Sequence, residues 1–77
     1  MDMSILGSPA SEYDEYVANV RKEWSHLSNE AWRNGRGAFL RTTLESPDIF
    51  YTPEFKHTFE PVARENIARE LESLQRL

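Results

Sequence analysis

Residues 29–46, NEAWRNGRGAFLRTTLES, decide the fold, because they admit two opposed readings. Asn34-Gly35 is the strongest short signal for a two-residue β-hairpin turn. A hairpin also needs alternating flanks, and neither NEAWR nor AFLRTTL alternates. At helical spacing Trp32, Gly35, Phe39, Leu40, Thr43 and Leu44 gather on one face. Ser28 and Asn29 supply a cap, and Glu30 stands in a first turn that favours acids. Two glycines lower helix propensity by about 1 kcal/mol each relative to alanine. The periodicity still predicts a helix over 29–45, with Gly35 on the packed face where a second helix could approach closely.

The flanking segments extend the same pattern. Tyr13, Tyr16, Val17, Val20, Trp24 and Leu27 recur at steps of three and four, predicting a helix over 12–26. Ser11 reads as its N-cap, with Asp14 three residues on in capping-box position. Glu12, Glu15, Asn19 and Lys22 fill the opposite side. After residue 46, Pro47 stops the second helix. Ile49, Phe50, Tyr51 and Phe55 form an aromatic connector laid over the groove between helices, and Thr52-Pro53 opens a short helical turn within it. A third helix is predicted over 58–76, with Pro61 tolerated in its first turn. Its stripe is Phe59, Val62, Ala63, Ile67, Leu71 and Leu74. Glu60–Arg64, Glu65–Arg69 and Glu72–Arg76 are i,i+4 pairs in the favourable order. The expected fold is all-α: three main helices in a small bundle, residues 11–77, preceded by the end of an earlier helix and a linker over 1–10.

Seventy-seven residues make one domain at most, and a chain this short buries only about 60% of the surface its unfolded form exposes. It has no cysteine, hence no disulfide and no thiolate zinc site. Nine basic against thirteen acidic residues give a net charge of −4, the wrong sign for general affinity to nucleic acid or anionic lipid. There is no secretory leader pattern and no apolar run of about 20 residues, so neither a membrane partner nor a secreted location is indicated. A cytoplasmic chain is the expectation.

Candidate chemistry is sparse. Glu23-x-x-His26 and His57-x-x-Glu60 place a carboxylate and an imidazole three residues apart, as carboxylate-bridged metal bundles do. Such bundles need two motifs in the same order and two further glutamates, so His26 is read as a helix C-terminal residue and His57 as a loop residue. Arg33, Arg36 and Arg41 interleave with Trp32 and Phe39, which could form a single-strand nucleic-acid surface. The acidic balance argues against that, and the arginines are expected to pair with acids of this or another domain. RNGRG is no phosphate loop, since no strand precedes it. No catalytic residue is expected.

Five stretches in order carry a resemblance: DMSILG at 2–7, YDEYVANVRKEWSH at 13–26, WRNGRGAFLR at 32–41, IFYTPEF at 49–55 and ARENIAREL at 63–71. Together they resemble the C-terminal part of metal-dependent phosphohydrolases of the HD superfamily. The resemblance implies a helical fold and a divalent metal held by a histidine, a His-Asp doublet and a later aspartate, which maps to Asp2. It also implies phosphate-ester hydrolysis by a metal-activated water. The histidine and the doublet would be supplied by an upstream HD domain, so the chain itself is expected to be non-catalytic, needing no cofactor of its own. Its role would be to pack beside that metal-binding core through Tyr13, Tyr16, Trp24, Trp32, Phe39 and Phe50. The alternative is a free-standing helical module that forms a homodimer or docks on a protein partner, suggested by an aromatic load large for so small a core.

Overall fold

A computed structural model of the chain describes residues 3–77. A short 3-10 turn, Met3–Gly7, precedes three α-helices: α1 (Ala10–Glu23), α2 (Asn29–Glu45) and α3 (Pro53–Leu74). No strand occurs among the described residues. The fold is an all-α bundle, and α3 is its central element, packed closely by the 3-10 turn and by α2.

Helix α2 runs unbroken through Asn34-Gly35-Arg36-Gly37, and none of its glycines takes a positive φ. Its start is fixed by Ser28, whose hydroxyl accepts from the Ala31 N–H at 3.1 Å. Its end falls at Glu45, as Pro47 predicts, and is also held from outside. Arg64 of α3 donates to the carbonyls of Leu44 (2.9 Å), Ser46 (2.9 Å) and Pro47 (3.3 Å), groups with no acceptor role left inside the helix. Trp32 and Leu40 are buried, and this burial outweighs the weak helix propensity of the glycines. The glycine expectation is corrected. Gly35 faces open space, and Gly37 is the one on the buried side. Phe39 likewise lies at the rim of the packed face, not inside it.

Helix α1 starts before Ser11, which does not cap it. The Pro9 carbonyl accepts from the Tyr13 N–H at 3.0 Å, and no side chain among the described residues caps this end. The helix also ends at Glu23, short of residue 26, because Arg21 folds back over the turn. Its guanidinium donates to the carbonyls of Trp24 (2.7 Å) and Leu27 (3.0 Å) and lies 5.4 Å from the Trp32 ring.

Helix α3 begins earlier than the hydrophobic stripe suggested. Thr52 caps it, accepting from the Phe55 N–H at 3.3 Å, and Pro53 holds its first position. The short turn expected at Thr52-Pro53 thus continues into one helix of 22 residues. Pro61 therefore lies well inside the helix instead of in its first turn, and His57 is an exposed helical residue instead of a loop residue. The neighbouring Glu60 holds this region in place: its carboxylate accepts from the N–H groups of Ile49 (2.7 Å) and Phe50 (3.3 Å), pinning the connector to α3.

The core comprises Leu6, Tyr13, Trp32, Leu40, Ile49, Phe50, Ala63, Ile67 and Leu74. Leu6 comes from the 3-10 turn, so it and Ile5 beside it pack into the same core as the helices. Asn66, buried on α3, donates to the Leu6 carbonyl at 2.9 Å and the Ser8 carbonyl at 2.8 Å. Gly7 touches α3 closely: a Cβ there would stand 2.7 Å from the Phe59 Cβ.

Candidate functional site

The buried polar centre of the bundle joins all three helices. Arg36 of α2 meets Glu70 of α3 fork to fork, Nε to Oε2 at 2.6 Å and Nη2 to Oε1 at 3.0 Å. Tyr13 of α1 donates its hydroxyl to the same Glu70 Oε1. Burial, reinforced by the bond to Glu70 and its charge, pushes the Tyr13 phenol well above its usual range, so it stays a neutral donor. Burial works to lower the Arg36 pKa, but the hydrogen bond and charge of Glu70 outweigh it and the guanidinium stays charged. With the Arg36 and Glu70 side chains 9% and 2% exposed, the carboxylate does not reach solvent. As arranged, this group orients three helices and offers no base to a substrate.

Above this centre lies an open groove between α1 and α2. The Arg36 guanidinium forms its floor, 5.3 Å from the Phe39 ring centroid and 5.9 Å from those of Tyr16 and Trp32. Val20, Trp24 and Leu27 extend the apolar wall, and Glu12, Glu15 and Glu23 of α1 also line it. Trp24 is 49% exposed and Phe39 39%. A second aromatic surface climbs out of the core at the start of α3. The buried Phe50 ring meets Phe59 (6.1 Å between centroids), which meets Phe55 (5.7 Å). Phe59 is 37% exposed and Phe55 55%.

The residues singled out in the sequence are distributed as follows. Asp2 lies outside the described residues. Glu23 ends α1, and His26 follows in the turn with its ring 5.7 Å from that of Trp24. Glu60 is taken up by the connector N–H groups, which, ahead of the opposing effect of burial, hold its carboxyl below the usual range; Arg64 at 3.8 Å adds to this. Among the described residues no three His, Asp or Glu side chains gather as a metal site would require. RNGRG is helical, with no phosphate-loop geometry. The expected pairing of arginines with acids is met by Arg36, whereas Arg33 donates to the Leu77 carbonyl at 3.0 Å. Of the pairs along α3, Glu72–Arg76 forms at 2.8 Å, while Arg69 turns to Asp14 (2.8 Å) and to Asn66 (2.9 Å).

The packing surface is corrected too. Tyr13, Trp32 and Phe50 are consumed by the chain's own core, and the exposed rings are Trp24, Phe39, Tyr51, Phe55 and Phe59. Reasoning from the sequence missed Glu70 and Asn66, charged or polar residues on the buried side of α3. Their only signal is position: 63, 66, 67, 70 and 74 share a helical face.

No protein-family model, curated protein or solved structure matches this chain. The functional reading therefore rests on the two aromatic surfaces and on the ordered stretches of sequence.

Proposed function

We propose that the chain is a non-catalytic helical support module that packs beside the metal-binding core of an HD-type phosphohydrolase. The observation that carries this reading is the position of Phe55 and Phe59. Phe59 packs on the 3-10 turn at Gly7, and Phe55 continues the exposed aromatic face from it. That turn belongs to the DMSILG stretch, the part of the resemblance that would reach the metal through Asp2. A neighbour seated there would cover the rings and meet the segment leading to the proposed ligand. The divalent metal would be held chiefly by the neighbour's histidine and His-Asp doublet. The described residues bring no such set together, so no hydrolytic step is assigned to them. A cytoplasmic setting is part of the same reading.

The test is to mix the purified chain with the HD core of its own genome. The chain is expected to raise the melting temperature of that core and its metal-dependent phosphatase activity. Phe55→Ser combined with Phe59→Ser is expected to remove both effects while far-UV circular dichroism stays unchanged. Turnover of p-nitrophenyl phosphate by the chain alone with Mn2+, or no response of the core, overturns the reading.

A second reading, a free-standing interaction module, is favoured by Trp24 and Phe39, which line a groove away from the Phe55–Phe59 face. Sedimentation velocity separates its homodimer form from a monomer that docks on another protein.

A further inference from the structure

The α1–α2 groove has a chemistry of its own. Its wall is apolar and ring-rich, with Trp24 and Phe39 well exposed. Its charge is one-sided. Glu12, Glu15 and Glu23 lie along α1, and none of them forms an ion pair among the described residues. The one cation lining the groove among the described residues, Arg36, is already matched by Glu70. On the α2 side Gly35 leaves the helix backbone bare, with no atom within 4 Å of where a Cβ would be.

We infer that this groove binds a basic amphipathic helix of a partner protein. An apolar stripe on that helix would enter between Trp24 and Phe39, and Lys or Arg residues flanking the stripe would meet the three glutamates. Helix-in-groove recognition uses this combination of apolar anchors and flanking charge. Gly35 would let the incoming helix approach α2 closely. The sign of the rim disfavours a second copy of this chain, whose net charge is −4. It equally disfavours an acidic peptide. The inference goes beyond the support role and uses a different surface, so either can fail alone.

The test uses the full chain and two synthetic peptides of identical apolar pattern, one with leucine and lysine, the other with leucine and glutamate. Calorimetry is expected to detect the lysine peptide, more weakly as salt rises, and not the glutamate peptide. Replacing Glu12, Glu15 and Glu23 together by Gln should weaken binding about tenfold, the sum expected of three exposed ion pairs. Gly35→Gln, which projects a side chain into the groove from an unobstructed helix position, should abolish binding with the melting temperature retained. NMR shift changes should centre on Trp24 and Phe39. Equal affinity for both peptides, unchanged binding by either variant, or shifts centred on Phe55 and Phe59 would overturn the inference. So would a homodimer that Gly35→Gln dissociates, since a second copy would then be the occupant.

Discussion

Arg36 and Glu70 meet through two parallel hydrogen bonds, 2.6 and 3.0 Å, although their helices are joined only through a connector and the residues stand 34 apart in sequence. Removing one partner leaves the other charge buried alone, a loss of about 3–5 kcal/mol. Glu70→Leu is therefore expected to lower the urea midpoint far more than the pair Arg36→Met with Glu70→Leu. Apolar replacement of both partners is often neutral or stabilising. Equal losses for the single and double variants would show that the pair does not act as a unit.

Two glycines should respond in opposite directions. Gly35 is helical, exposed and unobstructed, so Gly35→Ala should stabilise the fold by roughly 0.5–1 kcal/mol. At Gly7 a Cβ would collide with the Phe59 Cβ and crowd the Phe59 carbonyl at 3.2 Å. Neither atom is the free end of a flexible side chain. Gly7→Ala should then destabilise by about 1–3 kcal/mol, as overpacking does. Thermal melts of the two variants side by side check both signs.

Asn66→Leu should detach the 3-10 turn before it disrupts the helices. The carbonyls of Leu6 and Ser8 lose their donor, and the unsatisfied groups are expected to lower stability by about 1–3 kcal/mol. Hydrogen exchange should show faster exchange at the Ser8 N–H, which donates to the Ile5 carbonyl at 3.1 Å, while α2 stays protected.

Stability should fall at both ends of the pH scale, through different residues. Glu60 titrates below its ordinary value when folded, so its contribution is present above the unfolded carboxylate range and disappears as pH falls through the lower folded value. Glu60→Gln should flatten the acid limb of a stability profile. Tyr13 titrates above its ordinary value of 10.0, so its contribution is complete below that pH and declines as pH rises past it toward the folded value. Tyr13→Phe should remove that alkaline decline. Chemical denaturation across pH measures both.

The helical class was legible because α2 carries its apolar residues at helical spacing despite Asn34-Gly35. Its start was legible too, because Ser28 is a local cap. Its end at Glu45 was legible from Pro47; what no local pattern encodes is the contact at long sequence separation by which Arg64 holds that end. In α3 the stripe of Phe59, Val62, Ala63, Ile67, Leu71 and Leu74 is only partly inside: Phe59 stays at the rim, while Ala63, Ile67 and Leu74 belong to the buried face. It takes in Glu60, Asn66 and Glu70, because each finds a partner: connector N–H groups, the 3-10 turn and Arg36. Periodicity counts side-chain polarity and cannot see such partners. Periodicity set Tyr13 and Trp32 on apolar stripes, and both are buried; the support role implied by the resemblance is what assigned them, with Phe50, to an outer surface, when a bundle this small needs those rings for its own interior.

Helix α1 has only one fully buried residue, Tyr13, and among the described residues no side chain closes its first turn. Its hold on the rest depends on that ring, on the half-buried Val17 and Val20 packed against the core, on the Asp14–Arg69 pair and on Arg21, which reaches Asn29 at the start of α2. It should consequently be the first helix to come away in any partial opening, leaving α2, α3 and the 3-10 turn as the residual folded unit. Whatever settles against α1 would then act as a brake on unfolding, making occupancy readable as a slower loss of the native state.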